Sequence, residues 1–223
     1  RDLHGKQHSF PTRRFPICLL SGGISMAQKA LNLEDIVAGN IIQTKGIGSM
    51  TWLKDGERYS RLENNKQTGG TDIVAYRAKD NSREVIIPSS LLTDKSTGRP
   101  IPVRSVSWSA DNEKILIYNN TRRVWRYDTR GDYWVLNLKD GALRQLGKGM
   151  PESSMMFAKF SPDGTRVAYV SNNNIYVEDI DSGKITQLTK DGSDTIVNGT
   201  FDWVYEEEFS CRDGFRICLN VVD

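Results

Sequence analysis

From about residue 50 onward, short runs of alternating apolar and polar residues recur along this chain, separated by turns rich in Asp, Asn, Gly and Ser. Alternation with a period of two is the mark of a strand with one face toward a core, and such turns connect antiparallel neighbours. Two kinds of segment carry the pattern. The first is seen in VSWSADNEKILIY (Val106 to Tyr118) and AKFSPDGTRVAYV (Ala158 to Val170), with a looser copy in MTWLKDGERYSRL. Trp108 and Phe160 lie 52 positions apart, and Trp52 lies 56 positions before Trp108. The second follows each copy, as TDIVAYRAKDNSREVII, DYWVLNLKDGALRQL and NIYVEDIDSGKITQL, and reads as a β-hairpin. One repeat thus supplies four short strands in about fifty residues, the size of a propeller blade.

A single sheet of this kind cannot bury both faces, so neighbouring sheets must stack on it. The fold class expected is all-β, a partial β-propeller of about three to four blades of four-stranded antiparallel sheet. A β-sandwich is the competing arrangement. The blade rhythm is expected over residues 28–216. It breaks at Ile217 to Asp223, where a further aromatic-Ser-Pro-Asp turn is due and ICLNVVD stands instead. A divergent tail, from a frame change or a truncated gene, is the expectation there.

Composition narrows the function. The 223 residues are 38% hydrophobic and 26% charged with a formal net charge of +2, which gives no electrostatic case for nucleic acid. No apolar run is long enough to cross a membrane as a helix. Near the start, Arg13 and Arg14 precede FPICLLSGGISMA, and Ser25-Met26-Ala27 offers small residues at signal-cleavage spacing. Residues 1–27 are therefore expected to be a leader, with the protein exported to the periplasm or cell envelope. A plain N-terminal tail is the alternative. Cys211 and Cys218 have no zinc-site spacing, and nothing in the sequence supports a disulfide between them. No metal and no cofactor is implied. Sequons at Asn119 and Asn198 matter only in a eukaryotic secretory pathway.

The chemistry concentrates in FDWVYEEEFS, where Glu206, Glu207 and Glu208 sit among Trp203, Tyr205 and Phe209. In a strand, Glu207 would face away from its two neighbours. In a helical turn, adjacent carboxylates lie about 100° apart and can converge on one small target. Two converging carboxylates suit a primary ammonium, which has three donors to share. Trp203, Tyr205 and Phe209 would then pin the turn against a blade. A solvated acidic turn is the plain alternative, and no Asp-x-Asp ladder favours a divalent cation.

DWVYEEEF closely resembles the double-glutamate motif in the propeller of dipeptidyl peptidase IV and its relatives, serine peptidases of the prolyl oligopeptidase clan. KALNLEDIVAGN (Lys29 to Asn40) and VWRYDTRGDYWVLNL (Val124 to Leu138) are similar to other stretches of that family. The resemblance covers about residues 28 to 216. It implies a propeller that serves the removal of dipeptides with Pro or Ala second, from peptide N-termini. Glu207 and Glu208 would bind the substrate ammonium, Glu206 would be structural, with Trp203 and Tyr205 supporting the site, and Arg126 would contact the carbonyl of the second residue. It further implies an α/β-hydrolase domain downstream and leaves dimerisation of the full-length protein open. These 223 residues hold no Gly-x-Ser-x-Gly and no histidine after His8, so no catalytic residue is assigned and no cleavage is expected from them alone. A non-enzymatic scaffold or periplasmic binding propeller is the rival reading.

Overall fold

The computed structural model describes residues 48–218 apart from position 125, together with Leu33 and Val37. The expected leader over 1–27 and the end of the expected divergent tail, 219–223, lie outside the described residues. The description below concerns the compact unit that begins at Ile47.

Its frame is three four-stranded antiparallel sheets, each built in sequence order. The first holds β1 (Met50–Trp52), β2 (Arg58–Asn64), β3 (Thr71–Arg77) and β4 (Arg83–Ile87). A short 3₁₀ turn (Ser89–Leu92) and a small ribbon of β5 (Thr93–Asp94) and β6 (Arg99–Pro100) lead to the second. That sheet holds β7 (Ser105–Trp108), β8 (Lys114–Val124), β9 (Tyr127–Asn137) and β10 (Leu143–Gln145). The third holds β11 (Met156–Phe160), β12 (Arg166–Ser171), β13 (Asn174–Asp179) and β14 (Ile185–Gln187). A helix, α1 (Trp203–Phe209), follows. Each aromatic-headed copy in the sequence forms the first two strands of a sheet, and each hairpin copy forms the last two. This is the partial propeller that the repeat implies, with three blades among the described residues.

The sheets stack through two cores, and the middle sheet belongs to both. On β8, Ile115 and Ile117 pack with Ile73, Ile87 and Leu92 from the first sheet's side. Leu116, one residue over, packs with Val167 and Tyr169 from the third. On β9, Leu136 joins the former core, and Tyr133 and Val135 the latter. Alternation therefore becomes a continuous apolar run, because both faces are covered. Full burial of each such side chain contributes about 1.5–3 kcal/mol before entropy is charged against it.

The blade-head turns repeat atom for atom. Ser109 donates its hydroxyl to Asp111, and Lys114 N–H donates back to the Ser109 oxygen. Ser161, Asp163 and Arg166 do the same one blade later. The Ser161 hydroxyl and the Thr165 amide hold the Asp163 carboxyl down at about 2. Between blades, the buried Glu178 of β13 accepts from Gly147 N–H at 2.8 Å and pairs with Arg144 of β10 at 3.4 Å. Gly131 also ties β9 to Met155, its N–H donating at 3.0 Å. A Cβ there would meet the Tyr118 ring at 2.4 Å and Asn119 O at 2.6 Å, so the position requires glycine.

Two measurements check this account. Glu178→Ala strands the Gly147 amide and leaves Arg144 without its buried partner. Urea denaturation is expected to show a loss of about 3–5 kcal/mol. The depressed Asp163 value means its stabilisation is complete above its ordinary value of 3.8 and disappears as pH falls through about 2. Asp163→Asn should flatten the stability profile within that window and leave it unchanged in shape above pH 5.

Candidate functional site

Two excursions from this frame meet. The first is the hairpin of β8 and β9, eleven residues a side, which continues past the ends of its sheet through irregular pairing near Asn119 and Arg122. Its tip carries Arg126, whose side chain is 72% exposed. The second is α1, raised from the third sheet on a narrow stem. Asn198 N–H donates to Asn173 O, Thr200 bridges Asp213, and Gly214 N–H donates to Gly199 O at 2.9 Å. Lys159 of β11 fixes the returning segment, with Nζ 2.6 Å from Asp213 Oδ2 and 4.1 Å from the Phe215 ring centroid. Burial pushes the Asp213 carboxyl up, but hydrogen bonds from Lys159 and Arg216 outweigh it and hold the group below its ordinary value.

Helix α1 starts where it does because Asp202 caps it, accepting from Val204 N–H at 3.0 Å and Tyr205 N–H at 3.1 Å. It ends at Ser210, in the left-handed region at φ 54°, with Cys211 N–H returning to Tyr205 O. Helical geometry separates the three glutamates. Glu206 turns to Arg212 at 3.4 Å and is 14% exposed. Glu207 turns to Arg126, whose Nη1 lies 2.7 Å from Glu207 Oε2. Glu208 is exposed, and no ion pair joins it to a described residue. Arg126, Trp203, Glu207 and Glu208 line one open depression of about 440 Å³. The four residues are thus brought together from two blades, with two carboxylates and one guanidinium at a common surface.

The expected pinning by aromatics is not what the structure contains. Trp203, Tyr205 and Phe209 are 56%, 49% and 66% exposed, and α1 buries no residue. Tyr205 instead lies between two rings: it stacks on Phe201, which precedes the helix cap, at a centroid distance of 5.4 Å, and meets Phe209 in a tilted contact at 5.7 Å, the latter because side chains four apart share one helix face. What holds α1 is polar: the Asp202 cap, the stem, and Arg212. The Arg212 guanidinium pairs with Glu206 and lies over the Tyr127 ring, 3.2 Å from its centroid. It therefore ties the residue before Glu207 to the residue after Arg126.

Sequence reasoning missed Asp202 and Arg212. An Asp immediately before an apolar and acidic run is an N-cap signal and was readable. The Arg212 contact spans two blades and has no local signature. Cys211 and Cys218 are both free thiols. No described helix is long and apolar enough to cross a membrane.

Residues 109–218 match the family model described as "Dipeptidyl peptidase IV (DPP IV) N-terminal region". That stretch contains the long hairpin, the third blade, the stem and α1. Residues 109–218 belong to the dipeptidyl peptidase IV N-terminal region family. The crystal structure of Porphyromonas gingivalis dipeptidyl peptidase 4 is similar at 26% identity and a TM-score of 0.66, over 83% of this chain and 26% of that one. A "Probable dipeptidyl-aminopeptidase B" of Chaetomium globosum is 35% identical over 193 residues, 81% of this chain and 21% of the relative. One of Aspergillus terreus is 28% identical over 197 residues, 84% of this chain and again 21% of the relative. The chain spans about a fifth of the length of these curated relatives. It is a dipeptidyl peptidase IV-like propeller portion.

If the Asp202 cap sets where this dipeptidyl peptidase IV-like helix begins, Asp202→Ala should cost about 1 kcal/mol locally. Hydrogen exchange at Val204, Tyr205 and Glu206 is expected to speed up severalfold while amides of β12 and β13 keep their protection.

Proposed function

We propose that this chain is the substrate-anchoring propeller part of a dipeptidyl peptidase IV-like serine exopeptidase that removes X-Pro and X-Ala dipeptides. In this reading Glu207 and Glu208 receive the α-ammonium of the substrate, and Arg126 holds the carbonyl of its second residue. The observation that carries the proposal is the shared surface of Arg126, Glu207 and Glu208, with Arg126 already 2.7 Å from Glu207.

The chemistry follows from charge and reach. An ammonium has three donors and no acceptor, so two carboxylates side by side satisfy it where one cannot. Arg126 offers a fork of donors, enough to keep Glu207 placed and still reach a carbonyl. Anchoring one end of the peptide fixes how many residues extend toward the nucleophile. Two residues then reach it, and cleavage stops at a dipeptide. A blocked or internal peptide would bury the carboxylates without a partner, a cost of about 1–3 kcal/mol or more for charged groups. The propeller thus supplies binding and register. The bond-breaking serine, its histidine and its acid belong to the α/β-hydrolase domain that the reading places downstream.

The test is a titration of the 223-residue chain with Gly-Pro amide and with N-acetyl-Gly-Pro amide, followed by NMR. Saturable shifts in α1 and at Arg126 are expected with the free amine and not with the acetylated ligand. Glu207→Gln and Glu208→Gln should each weaken binding about tenfold or more. Binding should also fade as pH rises through the α-amino pKa, about 8, because the ligand loses its charge. Equal binding of the acetylated ligand would sink the proposal and favour a scaffold.

A further inference from the structure

We propose that Trp203 determines specificity at the first residue of the substrate. Its indole is the apolar wall against which that residue's side chain packs, so peptides that begin with a large apolar residue are preferred over those that begin with glycine. This inference rests on the amino-terminus anchor proposed above and adds to it.

The depression of about 440 Å³ is lined by Arg126, Trp203, Glu207 and Glu208. Three of these are charged, and Arg126 and Glu207 are already paired at 2.7 Å. The indole is thus the one large apolar surface among the lining residues. The other rings near α1 are engaged elsewhere. Tyr205 is two residues on, about 200° round the helix, and its ring meets Phe201 and Phe209. Trp203 stands outside that row: its ring meets no other described ring, and its Nε1–H meets no described acceptor. It is 56% exposed on a helix that buries no residue, so it does not fasten α1 to a blade. A side chain of this size, left in water beside charged binding groups, is covered only when something docks there.

Position supplies the occupant. Glu207 lies four residues after Trp203, so the two share one side of α1, and Glu208 lies about 100° further round. In an anchored peptide the first side chain springs from the carbon that bears the ammonium. It must therefore enter the same depression as the carboxylates that hold that ammonium. The ammonium has its donors met by two carboxylates and does not need the ring. Arg126 is directed to the carbonyl of the second residue, which leaves the indole to the first side chain. Glycine covers none of it, whereas Val, Leu or Phe removes apolar surface from water on both partners.

The experiment is an NMR titration of the full 223-residue chain with Gly-Pro amide and with Leu-Pro amide, read at the Trp203 indole Nε1–H and at the amides of α1. Leu-Pro amide is expected to bind about fivefold or more tighter than Gly-Pro amide and to shift the indole signal saturably. In W203A that ratio should fall to about one, and W203F, which keeps an aromatic face, should restore most of it. A variant that merely loosened α1, or removed a ring face serving the ammonium, would weaken both amides by the same factor. That result would overturn the proposal, as would equal binding of the two amides by the unaltered chain or a ratio unchanged in W203A. E207Q should weaken both amides and keep their ratio, so the anchor is read separately. Saturable binding of neither amide would remove anchor and wall together, while binding of both without preference removes the wall alone.

Discussion

The middle sheet has no free face. Its strands must satisfy one core through Ile115, Ile117 and Leu136 and another through Leu116, Tyr133 and Val135, and this constraint governs everything nearby. A slip of one residue in the β8–β9 register would exchange the two sets and unfill both cores at once. The register is therefore fixed at the root of the hairpin, where Ile115 faces Leu136 and Leu116 faces Val135. The tip, which packs into neither core, inherits its position from that root. A polar site at the end of a long lever needs such a foundation, because nothing at the tip itself is well buried.

The same logic explains how a helix with no buried residue is placed. Apolar packing does not fix α1, so charge and backbone do: Asp202 at its start, the Thr200–Asp213 bridge at its base, Lys159 behind that, and Arg212 beside it. These are directional interactions, and each is modest alone. Together they span both excursions, since Arg126 meets Glu207 while Arg212 joins Glu206 to Tyr127. Two parallel links across one gap resist rotation as well as separation. That is what a pair of carboxylates held at a fixed angle requires.

Much of the frame was legible in the sequence because blade strands announce themselves twice, in period-two alternation and in the repeat. The Ser109 and Ser161 turns are local, so a thirteen-residue window carries them whole. The DWVYEEEF stretch was legible as chemistry, and a helical turn was one of its two readings. The aromatic residues misled because hydrophobicity suggests burial, whereas Trp203, Tyr205 and Phe209 lie on a helix that no described blade covers. The eleven-residue length of β8 and β9 was also hidden, since Thr121, Arg122 and Arg123 carry no apolar alternation. Their pairing is inherited from the core below. Arg212 was invisible for a related reason: its partners come from another blade.

The hairpin also sets a grain size for change. Because Arg126 stands at the end of paired strands, its reach alters only by whole residue pairs, about 3.3–3.4 Å for each residue added to both sides. A single added pair would also turn the side chain to the opposite face, so an orientation-preserving change needs two pairs, about 7 Å. Fine adjustment of the distance between guanidinium and carboxylates is therefore denied to the hairpin. It falls to the stem of α1, where Gly199 and Gly214 meet and rotations of the backbone are cheap. In a lineage of such proteins, coarse variation would accumulate at the arm and continuous variation at the stem, two unequal sources of diversity feeding one gap.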